Sequence, residues 1–204
     1  MLGLPKITEL HKQLPKKAIY EKFQTNTSEK DKIDADISKI TIVNEISPVK
    51  VNVAEGELVK SFFVIQVTLK NKDFDERTIV TISKLIPQNI LFILECDGEA
   101  KLAIYHTKLM QTAWQSLESF SIALNGLSLD AVWENIIVQV SGIHIESGNT
   151  LDEQIEINNK RLKLEKEIER LDKQMKKEKQ PRKKFDLHQK ITKLKKELEE
   201  QHNG

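Results

Sequence analysis

Two short apolar repeats in the last third of the sequence are separated by a proline, and this arrangement leaves few folds open to the segment. Each repeat steps by four, three and four residues, the spacing with which one helix packs against another. The repeats consist of Leu164, Ile168, Leu171 and Met175, and of Leu187, Ile191, Leu194 and Leu198. Pro181 lies between them and cannot continue the first helix, because it has no amide hydrogen and its ring clashes with the preceding turn. We therefore predict an antiparallel helical hairpin, or short coiled coil, in residues 149–204.

The same repeats allow a second arrangement. A kinked, continuous helix would turn both apolar seams toward another chain instead of toward each other. The eight seam residues would then contact a partner helix, and a homo-oligomer is one outcome of such pairing.

The charges of the chain are unevenly distributed. The whole sequence has a net charge of only +1, yet residues 160–200 contain 16 Lys and Arg against 9 Asp and Glu. Seven of these cations surround the proline: Lys173, Lys176, Lys177, Lys179, Arg182, Lys183 and Lys184. Such a cluster attracts a polyanion or an acidic protein face, so we expect the hairpin tip to bind DNA or RNA phosphates. A charged helix face that only contacts water is the alternative.

The first 148 residues show the alternating pattern of an α/β domain. Residues 62–69 and 90–96 are apolar almost throughout, which is typical of central strands covered by helices on both faces. Further strands are predicted at 40–43, 49–53, 101–106 and, as a short extended segment, 114–117. Helices are predicted at 16–23, 28–40, 75–85 and 129–143. The sequence thus predicts one compact mixed-sheet domain, residues 1–148, flanked by helices and followed by the charged arm at 149–204.

The order of helix, strand pair, helix and strand is also that of metal-dependent nucleases of the restriction-endonuclease type. Their motif of an acid, any residue and a lysine corresponds here to Thr68-Leu69-Lys70, in which threonine replaces the acid. Threonine cannot supply the negative charge that Mg²⁺ requires. Lys70 is therefore a weak catalytic candidate, and an active nuclease would need unconventional ligands. Glu55, Glu57 or Asp36 would supply those ligands.

Several classes of function are disfavoured by what the sequence lacks. The seven glycines form no phosphate-binding loop, the histidines show no metal-ligand spacing, and the one cysteine, Cys96, lies in an apolar run. We therefore expect no catalytic set, no metal and no cofactor, with Mg²⁺ only under the nuclease interpretation. No segment has the apolar length of a membrane span, so a cytoplasmic protein without membrane contact is expected.

Four stretches of the sequence carry a resemblance when they are taken together. They are LPKKAIYE at 14–21, IPQNILFI at 86–93, LDAVWEN at 129–135 and EKQPRKKF at 178–185. In combination they resemble a bacterial family, domain-of-unknown-function family 4391, over nearly the whole chain. The resemblance implies a gene neighbourhood of DNA methyltransferases and helicases in restriction and phage-defence loci. It also implies an acidic residue at one of two positions that hold Gln66 and Thr68 here.

The leading hypothesis is a non-catalytic accessory subunit of a bacterial restriction-modification or phage-defence complex. Its protein partner would be a helicase or a DNA methyltransferase, and nucleic acid would be a second partner at the basic tip. Two alternatives remain open. One is a Mg²⁺-dependent nuclease with a degenerate site, and the other is an inhibitory, antitoxin-like binding protein.

Overall fold

A computed structural model describes residues 2–200 of the chain; the end of the predicted arm, 201–204, lies outside the described residues. The chain divides into two compact units between Gly142 and Ile143. The domain boundary predicted at residue 148 lies six residues later, in the segment that leads into the first long helix of the second unit.

The first unit is built on one mixed β-sheet. Its strands are β1 (Glu9–Gln13), β2 (Ile37–Ile46), β3 (Phe62–Leu69), β4 (Asn89–Cys96), β5 (Glu99–Tyr105), β6 (Leu109–Gln111) and β7 (Gln115–Ser116). Strands β1 to β6 follow each other across the sheet in chain order, and β7 pairs with β5. Only β3 and β4 pair in parallel; all the other pairs within the described sheet are antiparallel.

Five helices belong to this unit. They are α1 (Lys16–Lys22), α2 (Thr27–Asp36), α3 (Pro48–Val51), α4 (Glu76–Leu85) and α5 (Leu129–Ser141). Helix α4 connects the two parallel strands, as a crossover must. Helix α5 starts at Ser128, whose side chain accepts a hydrogen bond from the Ala131 N–H, and ends at Gly142 with φ of 66°.

The central strands are buried on both faces, which confirms the predicted α/β fold class. On one face, Ile65 and Phe92 join a core that includes Ile33 of α2 and Ile79 of α4. Phe62 alternates to the other face, where its ring centroid lies 5.0 Å from that of Trp133 on α5. The order α2, β2–β3 pair, α4 and β4 matches the predicted order of helix, strand pair, helix and strand.

Two predicted elements are wrong in their extent or type. The helix predicted at 28–40 ends at Asp36, because Ile37 and Ile40 belong to β2, where both are buried and pair with β3. The strand predicted at 49–53 does not form. Residues 48–51 are the short helix α3, since Pro48 has no N–H for a ladder but suits the first turn of a helix.

Asp130 ties the start of α5 to the loop that precedes β3. Its carboxylate accepts hydrogen bonds from the backbone N–H groups of Val59 (2.7 Å), Glu57 (2.6 Å) and Leu58 (3.2 Å). These bonds, that of Val59 first, lower the pKa of the Asp130 carboxyl below its usual range. Gly56 makes the approach feasible, because a Cβ at this position would lie 2.4 Å from the carboxylate oxygen.

We expect Asp130→Asn to lower the free energy of unfolding at neutral pH, because the neutral amide accepts these backbone hydrogen bonds less strongly. The folded pKa of Asp130 is depressed, so its stabilising contribution is present above the unfolded pKa of about 3.9. This contribution disappears as the pH falls through the folded pKa. Urea titrations of both proteins between neutral and acid pH will measure the difference, which should shrink on acidification.

The matched control for this experiment is Asp73→Asn, which removes an exposed carboxylate from the loop between β3 and α4 of the same unit. The control should leave unfolding close to that of the wild-type chain at every pH. An equal effect of the two substitutions would contradict the anchoring role of Asp130.

Candidate nucleic-acid interface

The second unit contains two long helices joined by three residues. Helix α6 covers Leu151–Lys177 and helix α7 covers Pro181–Glu200. The two helices pack against each other, and so short a connection requires them to run in opposite directions. Pro181 is the first residue of α7, a position where a missing N–H removes no helical hydrogen bond. The predicted C-terminal helical hairpin is therefore present.

The start of α6 is held by a reciprocal cap. The Thr150 hydroxyl accepts a hydrogen bond from the Glu153 N–H, and the Glu153 carboxylate accepts one from the Thr150 N–H at 2.8 Å. The bonds from Thr150 lower the pKa of the Glu153 carboxyl. Further along, Arg161 forms an ion pair with Glu146 at 3.1 Å, which fastens the preceding loop to the helix.

The structure places the predicted seam residues on the less exposed sides of both helices. Leu171 and Ile191 are each only 6% exposed. The other six are half-buried: Leu164, Ile168, Met175, Leu187, Leu194 and Leu198. The residues at heptad spacing are therefore the less exposed ones on each helix. Most of the residues between the seam positions are exposed.

Most charges along the length of α6 are neutralised by neighbours one turn away. Lys173 pairs with Glu169 and Lys176 pairs with Asp172, both at 2.6 Å. The pair with Lys173 lowers the pKa of the Glu169 carboxyl, and the hydrogen bond with Asp172 raises the pKa of Lys176. Two of the seven predicted phosphate-binding cations are thus already engaged within the helix.

The remaining five predicted cations lie around the bend and are all exposed: Lys177, Lys179, Arg182, Lys183 and Lys184. Glu178 is the acid closest to them in sequence, but its carboxylate serves the connection itself. Its Oε1 accepts hydrogen bonds at 2.8 Å from the backbone N–H groups of Gln180 and Lys179. Gln180 is the main cause of the lowered pKa of Glu178, and the charge of Lys183 contributes to it.

Four of these cations have no ion pair within residues 2–200: Lys177, Lys179, Arg182 and Lys184. Three cations, Arg182 to Lys184, also occupy the first turn of α7, which contains no acidic residue. The N-terminus of a helix is the positive end of its dipole, so cations there are unfavourable unless an anion approaches. We define the five exposed cations as the basic tip.

A shallow cavity of about 490 Å³ lies between the helices just behind the basic tip. Its lining includes Lys177, Lys183 and Lys190, but also Glu178 and Asp186. The cavity therefore has mixed charge, and two of the exposed cations of the bend, Lys177 and Lys183, line it.

Sequence reasoning missed one residue at the tip. Phe185 follows the three cations of the first turn of α7 and is 61% exposed. Its position two residues before Leu187 could have indicated this, because two residues correspond to a rotation of about 200° around a helix. An aromatic residue so placed points away from the seam.

Lys70, the weak catalytic candidate, has a structural role. Its Nζ donates a hydrogen bond at 2.5 Å to the Asp34 carbonyl, and its backbone N–H donates one at 2.8 Å to the Asp36 carbonyl. Both carbonyls lie in the last turn of α2, where a cation is favoured by the helix dipole. The Asp36 side chain accepts a hydrogen bond from the Thr78 hydroxyl at 2.6 Å, which joins α2 to α4.

Two of the three proposed unconventional metal ligands, Glu55 and Glu57, lie far from Lys70. Glu55 and Glu57 precede β3, whereas Lys70 follows it, and an eight-residue strand separates its ends by about 23 Å. Glu55 pairs instead with Lys60 at 3.2 Å. Of the two positions expected to be acidic, Gln66 donates a hydrogen bond to the Glu95 carboxylate. The residues present do not fit a Mg²⁺ site of the restriction-endonuclease type.

Metal-binding clusters and the Cys96 thiol were the other possible reactive groups. Within residues 2–200, no group of three or more His, Cys, Asp or Glu side chains is arranged to hold a metal ion. Burial raises the pKa of the Cys96 thiol, which disfavours the nucleophilic thiolate.

Comparison with known families gives a match over almost the whole chain. The family described as Domain of unknown function (DUF4391) matches residues 2–198. The chain belongs to this family. The resemblance carried by four short stretches of sequence is thereby confirmed. No curated protein and no solved structure matches the chain. In the part of the chain that is described, no helix is both long and apolar enough to cross a membrane.

We expect Lys70→Met to lower the free energy of unfolding by about 0.5–1 kcal/mol, because it removes a cation from the C-terminus of α2. Lys39→Met, at an exposed position of β2, is the matched control and should have a smaller effect. Urea unfolding will measure both variants. A Mg²⁺-dependent nicking activity of the wild-type chain that Lys70→Met abolishes would contradict the structural role.

We expect Leu171→Ala to destabilise the hairpin by about 2–3 kcal/mol, because it removes a buried side chain from the seam. Leu162→Ala truncates an exposed leucine of the same helix and should cost less than about 0.5 kcal/mol. Circular dichroism during urea unfolding will report the loss of helix. Equal effects of the two substitutions would show that Leu171 does not pack in the helix pair.

Proposed function

We propose that this chain is a non-catalytic accessory subunit that binds nucleic acid through its basic tip. The observation that carries the proposal is the density of exposed cations at the bend: five lie between residues 177 and 184 with Glu178 as the one acid among them, and four of the five have no ion pair within the described residues. Repulsion among these cations is unfavourable in the free protein. An external polyanion removes it.

Nucleic-acid phosphates suit this surface better than a small acidic ligand would. All five cations of the basic tip are exposed, so they can contact a charged backbone, whereas small molecules generally bind in enclosed pockets. Each cation that neutralises a phosphate also releases a condensed counterion, which supplies much of the affinity at low salt.

A protein partner belongs to the same proposal. Following the family resemblance, we propose a helicase or a DNA methyltransferase as this partner, in a cytoplasmic restriction-modification or phage-defence complex. Exposed apolar side chains on the first unit support a protein contact. Val49 is 92% exposed, and Leu58 and Leu127 are similarly exposed on loops joined through Ala54 and Asp130.

The experiment that tests nucleic-acid binding replaces Lys177, Lys179, Lys183 and Lys184 together by glutamine. We expect weaker binding to a labelled DNA duplex in fluorescence anisotropy. We also expect the slope of log affinity against log salt to become less negative by roughly 0.9 for each phosphate that the variant no longer neutralises.

The matched control replaces four exposed lysines of the stems, Lys163, Lys166, Lys193 and Lys195, by glutamine. This change alters the net charge equally but leaves the bend intact, so we expect a smaller loss of affinity. Equal losses in the two variants would mean that net charge alone drives binding. Unchanged binding by the tip variant would overturn the proposal.

A further inference from the structure

The exposure of Phe185 is not explained by the fold of the hairpin. Its side chain is 61% exposed on the outer side of α7, although an aromatic ring gains free energy when it leaves water. The residue lies one helical turn after Arg182, so this cation borders it on the same side of the helix, and Lys184 precedes it in sequence. The tip therefore combines positive charge with one accessible aromatic ring.

This combination is unsuited to an apolar docking surface. Within the described part of the second unit, the other strongly exposed large apolar side chain is Leu162. Leu162 lies 15 residues before the end of α6, or about 22 Å along the helix axis. An apolar protein interface or a lipid surface requires several neighbouring apolar side chains, whereas no large apolar residue lies one turn before or after Phe185 on α7.

An unpaired nucleobase suits the same surroundings. Proteins that hold single strands place cations along the phosphate backbone and stack aromatic rings on the bases. In a duplex the base faces are already stacked on each other, so a protein ring must first unstack a base pair step to reach them.

We propose that Phe185 stacks on a base and that the ligand of the basic tip is single-stranded nucleic acid. This inference rests on the proposed function, because the neighbouring cations must hold the backbone for the ring to reach a base. Beyond the proposed function, the inference specifies that the tip prefers single-stranded nucleic acid and that Phe185 provides this preference.

The test compares a labelled twelve-nucleotide oligothymidine with a duplex of equal length, using the full chain in fluorescence anisotropy. We expect Phe185→Ala to weaken binding of the single strand by about tenfold, within the range known for one stacked base. Binding of the duplex should change less than about twofold. The salt slope should not change for either ligand, because no cation is removed.

Two further substitutions separate stacking from general apolar contact. Phe185→Trp should restore or tighten binding of the single strand, since tryptophan retains a large aromatic face. Phe185→Leu should behave like Phe185→Ala, because leucine is apolar but has no ring to stack. Leu162→Ala is the control for loss of an exposed apolar side chain in the hairpin, and it should bind both ligands like the wild type.

The outcomes distinguish this inference from the proposed function. If the tip variant with four glutamines weakens binding but Phe185→Ala does not selectively weaken the single strand, stacking is wrong and the proposed function stands. Wild-type affinity of Phe185→Leu would assign the side chain to an apolar contact and overturn stacking. If the wild-type chain binds neither ligand, both proposals fail.

Discussion

The parallel pairing of β3 with β4 is the constraint on which the rest of the first unit depends. Both strands are buried on both faces, so each face of the sheet needs a covering layer. The crossover helix α4 covers one face together with α1 and α2, and α5 covers the other through Trp133. The anchored loop at Asp130 then connects α5 to the start of β3, so the covering helix and the central strand are held at one end.

In this arrangement, the residues that the nuclease interpretation would recruit around Lys70 have structural contacts. Lys70 emerges where β3 ends, next to the last turn of α2, and the carbonyls there accept both its ammonium and its backbone N–H. Asp36 holds α2 against α4 through Thr78. The residues that a metal site would recruit therefore stabilise the junction between helices, and the two glutamates of the preceding loop lie at the far end of the strand.

In the hairpin, the interactions that stabilise the helices and the densest group of exposed cations lie in different segments. The stem of the hairpin is stabilised by the apolar seam and by ion pairs within α6, while the bend concentrates exposed cations, four of which have no ion pair within the described residues. Three of these cations oppose the dipole of α7, which weakens the start of that helix. Sequence positions that lower stability in this way are characteristic of binding surfaces.

Much of this protein could be predicted from its sequence. The apolar runs at β3 and β4, the heptad seams and Pro181 each depend on local periodicity or on one residue's covalent geometry, so the fold class and the hairpin follow from them. Residues 37–40 and 48–53 could not be assigned in this way. Isoleucines at helical spacing also fit a strand, and only pairing with β3 decides between the two. The positive charge of the tip is likewise evident in the sequence. The position of Phe185 relative to Leu187 also indicates its side of the helix. Distances between chain segments decide which cations have no ion pair within the described residues and that Lys70 caps α2, so only the tertiary structure determined these two features.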